Sequence, residues 1–158
     1  MVEMFVFKIG FDADRRGVII LADASEERFL PIVIGPFEAH AIAVAGQSIH
    51  HRPLTHQLTN SIITTLGYRL EKMEIIKLED QVFYALLHVR NGEARFEIDA
   101  RPSDAIALAL GAEVPIYVAQ DVLEQAAVLS EDAVQQEKEE LRDLLAGIPL
   151  EDDTPDEK

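Results

Sequence analysis

Apolar side chains alternate through "MFVFKIGF", residues 4 to 11, and later recur every fourth position at Leu54, Leu58, Ile62 and Leu66. A period of two makes a strand with one apolar side, whereas a period near 3.6 makes an amphipathic helix. A chain carrying both patterns is neither all-helical nor all-strand, and the order of the patterns decides how they assemble. In the first stretch Phe5, Phe7, Ile9 and Phe11 fall on one face. The polar "DADRRG" then turns the chain into "VIILAD" (18–23), a hairpin, and "FLPIVIG" (29–35) supplies a third strand. Pro31 has no N–H to give a ladder, so that strand lies at an edge or begins after the proline.

Pro36 opens and Gly46 closes a first helix. The Leu54-to-Leu66 repeat predicts a second, stopped by Gly67. "YRLEKMEIIKLED" and "QVFYALLHVRNG" predict a long hairpin turning near Glu79-Asp80. In "EARFEID" Phe96 and Ile98 face one way, and Arg95, Glu97 and Asp99 the other. A short Ala-rich helix over 102–110, a strand at "PIYVA" and a helix over 120–129 follow. Strands and helices come in groups rather than in regular βαβ alternation. This predicts an α+β fold, a mixed, mostly antiparallel sheet with three or four helices, in one compact domain over residues 1–129. Leu141, Leu144, Leu145 and Ile148 form a further stripe, predicting a C-terminal helical extension over 130–148 that docks on the body or a partner. The acidic tail at 149–158 reads as disordered.

The 158 residues include no cysteine, which excludes disulfides, thiolate zinc sites and cysteine nucleophiles and fits a cytoplasmic protein. No apolar run approaches the roughly 18 residues of a membrane span, and no basic segment opens a signal peptide. The net charge is −15, of which −8 falls in residues 130–158 and −7 in residues 1–129. Both parts are acidic, so a nucleic-acid groove would need scattered arginines to converge in space.

Two helices are entered through Arg-Pro, at Arg52-Pro53 and Arg101-Pro102. A helix start carries partial positive charge and unpaired N–H groups, and an arginine beside it adds a donor fork suited to phosphate or carboxylate. Alternatively, Arg101 braces the corner by pairing with Asp99 or Asp104. Glu97 and Asp99 share a strand face and Asp104 follows, a grouping that could hold Mg²⁺ or Mn²⁺ against a phosphodiester; a solvated strand face has the same spacing. Glu38 sits in the first turn of the first helix. His40, His50, His51 and His56 cluster in sequence, with His56 a candidate general base or metal ligand and loop or cap roles the alternative. Thr55 is a cap or a substrate contact, and Ser103 reads first as a cap.

The segments "LPIVIGPFEAHAIAVAG", "RPLTHQL", "VFYALLHV" and "IDARPSDAIALAL", in that order, resemble the bifunctional nuclease domain family from about Met4 to Leu129. "LRDLLAGIPLEDD" is similar to the helix and acidic ending of bacterial members. The resemblance implies an α+β fold, homo-oligomers with dimers favoured, and hydrolysis of DNA and RNA as described for plant members. The family pattern falls on Gly35, Glu38, Arg52, Pro53, Thr55, His56, Asp99, Arg101, Pro102, Ser103 and Asp104, while Gln57 stands where many members have an acid. The joint expectation is that Arg52, Thr55, Arg101 and Ser103 bind substrate. Glu38, Asp99 and Asp104 would hold one divalent ion, Mg²⁺ or Mn²⁺, and that ion or His56 would activate water. The competing expectation is a non-enzymatic oligomeric module that binds an anionic metabolite or a protein through the same corner.

Overall fold

The structure, a computed structural model, describes residues 1–12, 14–47 and 52–129. The extension expected over 130–148, the tail, His50 and His51 lie outside these residues. The elements run β1 (Val2–Phe11), β2 (Gly17–Asp23), β3 (Arg28–Ile34), α1 (Pro36–Val44), α2 (Thr55–Thr65), β4 (Arg69–Glu79), β5 (Val82–Asn91), β6 (Ala94–Ala100), α3 (Pro102–Ala112), β7 (Ile116–Val118), α4 (Gln120–Ala126) and β8 (Val128–Leu129). This is the α+β fold that the grouping of patterns predicts.

One sheet contains every strand, in the order β6-β5-β4-β7-β1-β2-β3-β8. Its two halves are antiparallel meanders, β1-β2-β3 and β4-β5-β6. β7 joins them, antiparallel to β1 and parallel to β4. The β4–β5 turn uses Asp80 (φ 49°) and Gln81 (φ 63°), the paired positive values of a type I′ hairpin, whose twist matches the flanking strands. At β3 the ladder to β8 covers only Arg28 and Phe29, so Pro31 stands past its end, where a missing N–H does no harm.

Two expectations need correction. A bulge between Val6 and Lys8 in β1 breaks the alternation. Val6 and Ile9 therefore pack against the core, while Phe5 and Phe7 turn to the opposite face and remain partly exposed. An extra residue in one strand shifts every later side chain to the other face, which no alternation count detects. Second, the helix expected over 120–129 ends at Ala126, and Val128–Leu129 pair with β3 as a short edge strand.

The core lies on one sheet face, under α3. Ile19, Leu21 and Leu30 come from one meander and Met73, Ile75 and Ala85 from the other. α3 is buried almost all round, through Ser103, Ala105, Ile106, Ala107, Leu108 and Ala109. Its alanines let neighbouring backbones approach, and burial of Ile106 alone contributes about 1.5–3 kcal/mol. Gly111 extends this closeness: a Cβ there would stand 3.0 Å from Asn60 Nδ2 on α2 and 3.2 Å from the Ala45 carbonyl after α1. Among the described residues no helix is long and apolar enough to cross a membrane.

Candidate active site at three helix entrances

Pro102 occupies the first position of α3, where an N–H would have no helical partner, and its fixed φ starts the helix. Arg101 therefore stands in extended backbone just outside the helix, its carbonyl accepting the Ala105 N–H at 3.0 Å. Its guanidinium folds back over the first turn. Nε donates to Asp104 Oδ2 at 2.7 Å, and Nη1 donates to Glu38 Oε1 at 3.0 Å. The other Asp104 oxygen, Oδ1, lies 2.9 Å from His56 Nε2. Glu38, His56 and Asp104 all belong to first turns, of α1, α2 and α3. Three helix entrances thus meet, and three positive dipole ends face one place.

Glu38 is steered by Gly35. A Cβ at Gly35 would lie 2.1 Å from Glu38 Oε2, so the carboxylate occupies the room a side chain would need. α2 is docked on α3 by two polar ties, His56–Asp104 and the Asn60 Nδ2 donation to the Leu108 carbonyl at 3.0 Å.

The ion pairs shift the charge equilibria of both partners. Partial burial works to raise the Asp104 pKa, but hydrogen bonds from Arg101 and then His56 outweigh it and hold the carboxyl below its ordinary value. The Asp104 hydrogen bond in turn pushes the Arg101 guanidinium above its own. Asp104 is thus an anion near neutral pH, and its contact with Nε2 orients the His56 ring.

A pocket of about 580 Å³ opens over this network, lined among others by Phe37, His40, Leu54, Thr55, His56 and Arg101. The Arg101 side chain remains 65% exposed, so a ligand can reach it. Of the residues singled out in the sequence, Glu38, Thr55, His56, Arg101 and Asp104 line the pocket; Arg52, Asp99 and Ser103 do not. Ser103 is buried, and the cap position before α3 belongs to Arg101 rather than to Ser103. In β6, Ile98 and Ala100 stand opposite core residues Leu87 and Ala85, so alternation turns Asp99 to the sheet face away from the helices. Among the described residues no three of His, Asp and Glu are placed to hold one ion. Glu38 and Asp104 instead share the Arg101 guanidinium. As they stand, Glu38, Asp99 and Asp104 do not make a donor set for Mg²⁺ or Mn²⁺.

Sequence reasoning missed Phe37 at the rim, 86% exposed beside the site. The one signal was an aromatic residue placed directly after a helix-opening proline. It also missed the work of Gln57, whose Oε1 accepts the Leu54 N–H at 3.0 Å and whose Nε2 donates to the Gln47 carbonyl at 3.1 Å. Leu54, not Thr55, occupies the N-cap position of α2 without a side-chain capping bond, and Gln57 closes that end by accepting the Leu54 N–H.

The α+β fold fits the class read from the motifs, and residues 19–131 match the bifunctional nuclease domain. The chain belongs to the bifunctional nuclease domain family. An uncharacterized protein of Mycobacterium tuberculosis is 43% identical over 122 residues, covering 76% of this chain and 72% of its own. Bifunctional nuclease 2 of rice (Oryza sativa subsp. japonica) is 27% identical over 110 residues, 67% of this chain and 34% of the rice protein. Bifunctional nuclease 1 of Arabidopsis thaliana is 24% identical over 110 residues, again 67% of this chain and 34% of its own. The chain thus spans about a third of these plant proteins.

Proposed function

We propose that this protein hydrolyses phosphodiester bonds of DNA or RNA at the three-helix corner. The observation that carries this reading is the Glu38–Arg101–Asp104–His56 chain, set where three helix starts face one open pocket. Arg101 supplies a planar cation for a phosphate and for the charge that builds on it during in-line attack. His56, oriented by Asp104, takes the proton of the attacking water through Nδ1. Thr55, in the first turn of α2, offers a hydroxyl to the same pocket.

The test is cleavage of single-stranded and duplex DNA and RNA by the purified chain, with Mg²⁺, with Mn²⁺ and with a chelator. Arg101→Ala and Asp104→Ala are each expected to abolish cleavage while retaining a cooperative thermal transition. Cleavage unchanged in both variants would remove the corner from the reaction. Cleavage lost on chelation and restored by Mn²⁺ would show a metal requirement that the Glu38–Arg101–Asp104 arrangement alone does not meet.

A second reading draws on charge. The chain carries −15, and Arg101 already faces two carboxylates, so a polyanion approaches against the overall field. That favours a non-catalytic site for a small anionic ligand or a protein. No cleavage under any metal condition, together with a rise in melting temperature on adding a small phosphorylated ligand, would decide for it.

A further inference from the structure

The pocket over the three-helix corner does not end at the corner. It shares Pro53 and Gln57 with a second hollow of about 600 Å³, which in turn shares Thr64 and Arg69 with a third of about 360 Å³. The hollows follow one another along one flank of α2, which lines the second with Gln57, Asn60, Ser61 and Thr64. Steps of three, four and seven residues mark one side of a helix. α2 has 11 residues. At about 1.5 Å per residue, the two ends of this channel lie about 16 Å apart.

Charge is unequal along the channel. At the corner one guanidinium, Arg101, faces two carboxylates. At the far end two guanidiniums, Arg69 and Arg90, share one carboxylate oxygen, Glu71 Oε1, at 3.3 and 3.4 Å. In the ladder Arg69 stands opposite Arg90, and Arg90 opposite Arg95. Like charges placed side by side across a sheet repel. Three arginines against one carboxylate leave two positive charges for an anion to neutralise. Between the ends the helix wall is neutral, because Pro53 to Tyr68 includes no Asp, Glu, Lys or Arg. Glu113 is the acid that lines the middle hollow among the described residues.

We propose that this channel is the path of an unpaired nucleic-acid strand, gripped through its phosphates by Arg69, Arg90 and Arg95 and crossing the corner at Arg101. The inference rests on the phosphodiester reading of the corner and supplies what the corner lacks, an excess of positive charge. At physiological salt, charges more than about 8 Å away are largely screened. The arginine row therefore acts locally against the −15 of the whole chain. A planar guanidinium fork suits phosphate oxygens, and a wall of amides and hydroxyls lets phosphates pass without repulsion. Duplex DNA is stiff and convex, whereas a single strand bends into a concave channel. At about 3.4 Å per stacked nucleotide, 16 Å holds about five nucleotides.

The test compares two substrates on the full chain. Bis(p-nitrophenyl) phosphate, a small diester, needs the corner alone; a fluorescent single-stranded octanucleotide reaches both ends. Arg69→Glu, at a side chain 68% exposed, should weaken octamer binding about tenfold and lower octamer cleavage while leaving the small diester unaffected. Arg95→Ala should act in the same direction. Glu71→Gln frees two guanidiniums and should tighten octamer binding. Ser61→Glu inside the channel should weaken it, and Thr65→Glu, also exposed but outside the channel, should not. Affinity should rise with strand length and level off near about five nucleotides. Octamer binding indifferent to both Arg69→Glu and Glu71→Gln would overturn the channel and leave the corner chemistry intact. So would a duplex of equal length bound as tightly, or an acidic octapeptide bound as tightly with the same dependence on Arg69, which would give the channel to a protein partner. No cleavage of either substrate, with octamer binding still dependent on Arg69, would remove the reaction and keep the channel.

Discussion

Helices α2 and α3 have the same length, and both are entered through Arg-Pro, yet they stand in opposite relations to the protein. α3 buries six of its residues and packs on β4 and β5; α2 buries none and leaves its apolar stripe in water. At α3 the arginine closes on a carboxylate three residues into the helix. At α2 the corresponding start is closed by Gln57 instead, and Arg52 does not line the pocket. Identical opening dipeptides fix where a helix begins, because proline suits its first position. They say nothing of what the helix then packs against, which depends on which sheet face it reaches and on how small its side chains are.

Substitutions in matched positions put that contrast at risk. Ile106→Ala on α3 should cost about 2–5 kcal/mol in urea unfolding, since the cavity opens among fully buried neighbours. Ile62→Ala on α2 should cost within about 0.5 kcal/mol; equal losses at the two sites would end the distinction. The helix ends give a second pair. α3 closes on Glu113 at φ 55° and α2 on Gly67 at φ 80°. Glu113→Gly should therefore stabilise, and Gly67→Ala destabilise, each by about 1 kcal/mol. Asn60→Ala removes the tie from α2 to the Leu108 carbonyl and should cost about 0.5–1.5 kcal/mol, with faster amide exchange confined to α2.

Acid sharpens the comparison with a smaller effect. The Asp104 carboxyl has a lower pKa folded than unfolded, so its ion pairs contribute fully above its ordinary value of 3.8 and are lost as pH falls through the lower folded value. A melting series from roughly pH 6 to pH 2 should show a steeper acid loss for the wild type than for Asp104→Asn. Gly35→Ala should act locally: its φ of −74° suits alanine, but the new Cβ must push the Glu38 carboxylate off Arg101. Stability should change by less than about 1 kcal/mol while Arg101-dependent activity falls.

Most strands and helices were legible in the sequence, because alternation, prolines and glycines act within a few residues. Arg101 and Asp104 were legible as a corner for the same reason, being three residues apart. The bulge in β1 was not, since one inserted residue leaves each half of the strand locally regular. The exposure of α2 was not, because a stripe declares an apolar face without naming its cover. The placement of Asp99 away from the corner could have been read: it alternates with Phe96 and Ile98, and a helix packed on their side of the sheet cannot meet it. The meeting of His56 with Asp104, 48 residues apart in the chain, follows from the two Arg-Pro helix starts being read as facing one another, whereas Arg52, placed at the same start, does not line the pocket.

The three residues of β7 hold the two meanders side by side, with Met73 N donating to the Pro115 carbonyl and Ala119 N to Ile75 as the chain passes. During synthesis, β1 and β4 therefore each leave the ribosome with a bare margin that waits for a segment arriving much later. A nascent chain halted before Ile116 would hold two half-sheets with no seam between them, each prone to seek strands from other chains. Completion of the sheet is thus tied to a few late residues, and stalling or truncation just upstream of them should yield aggregation rather than a smaller folded domain.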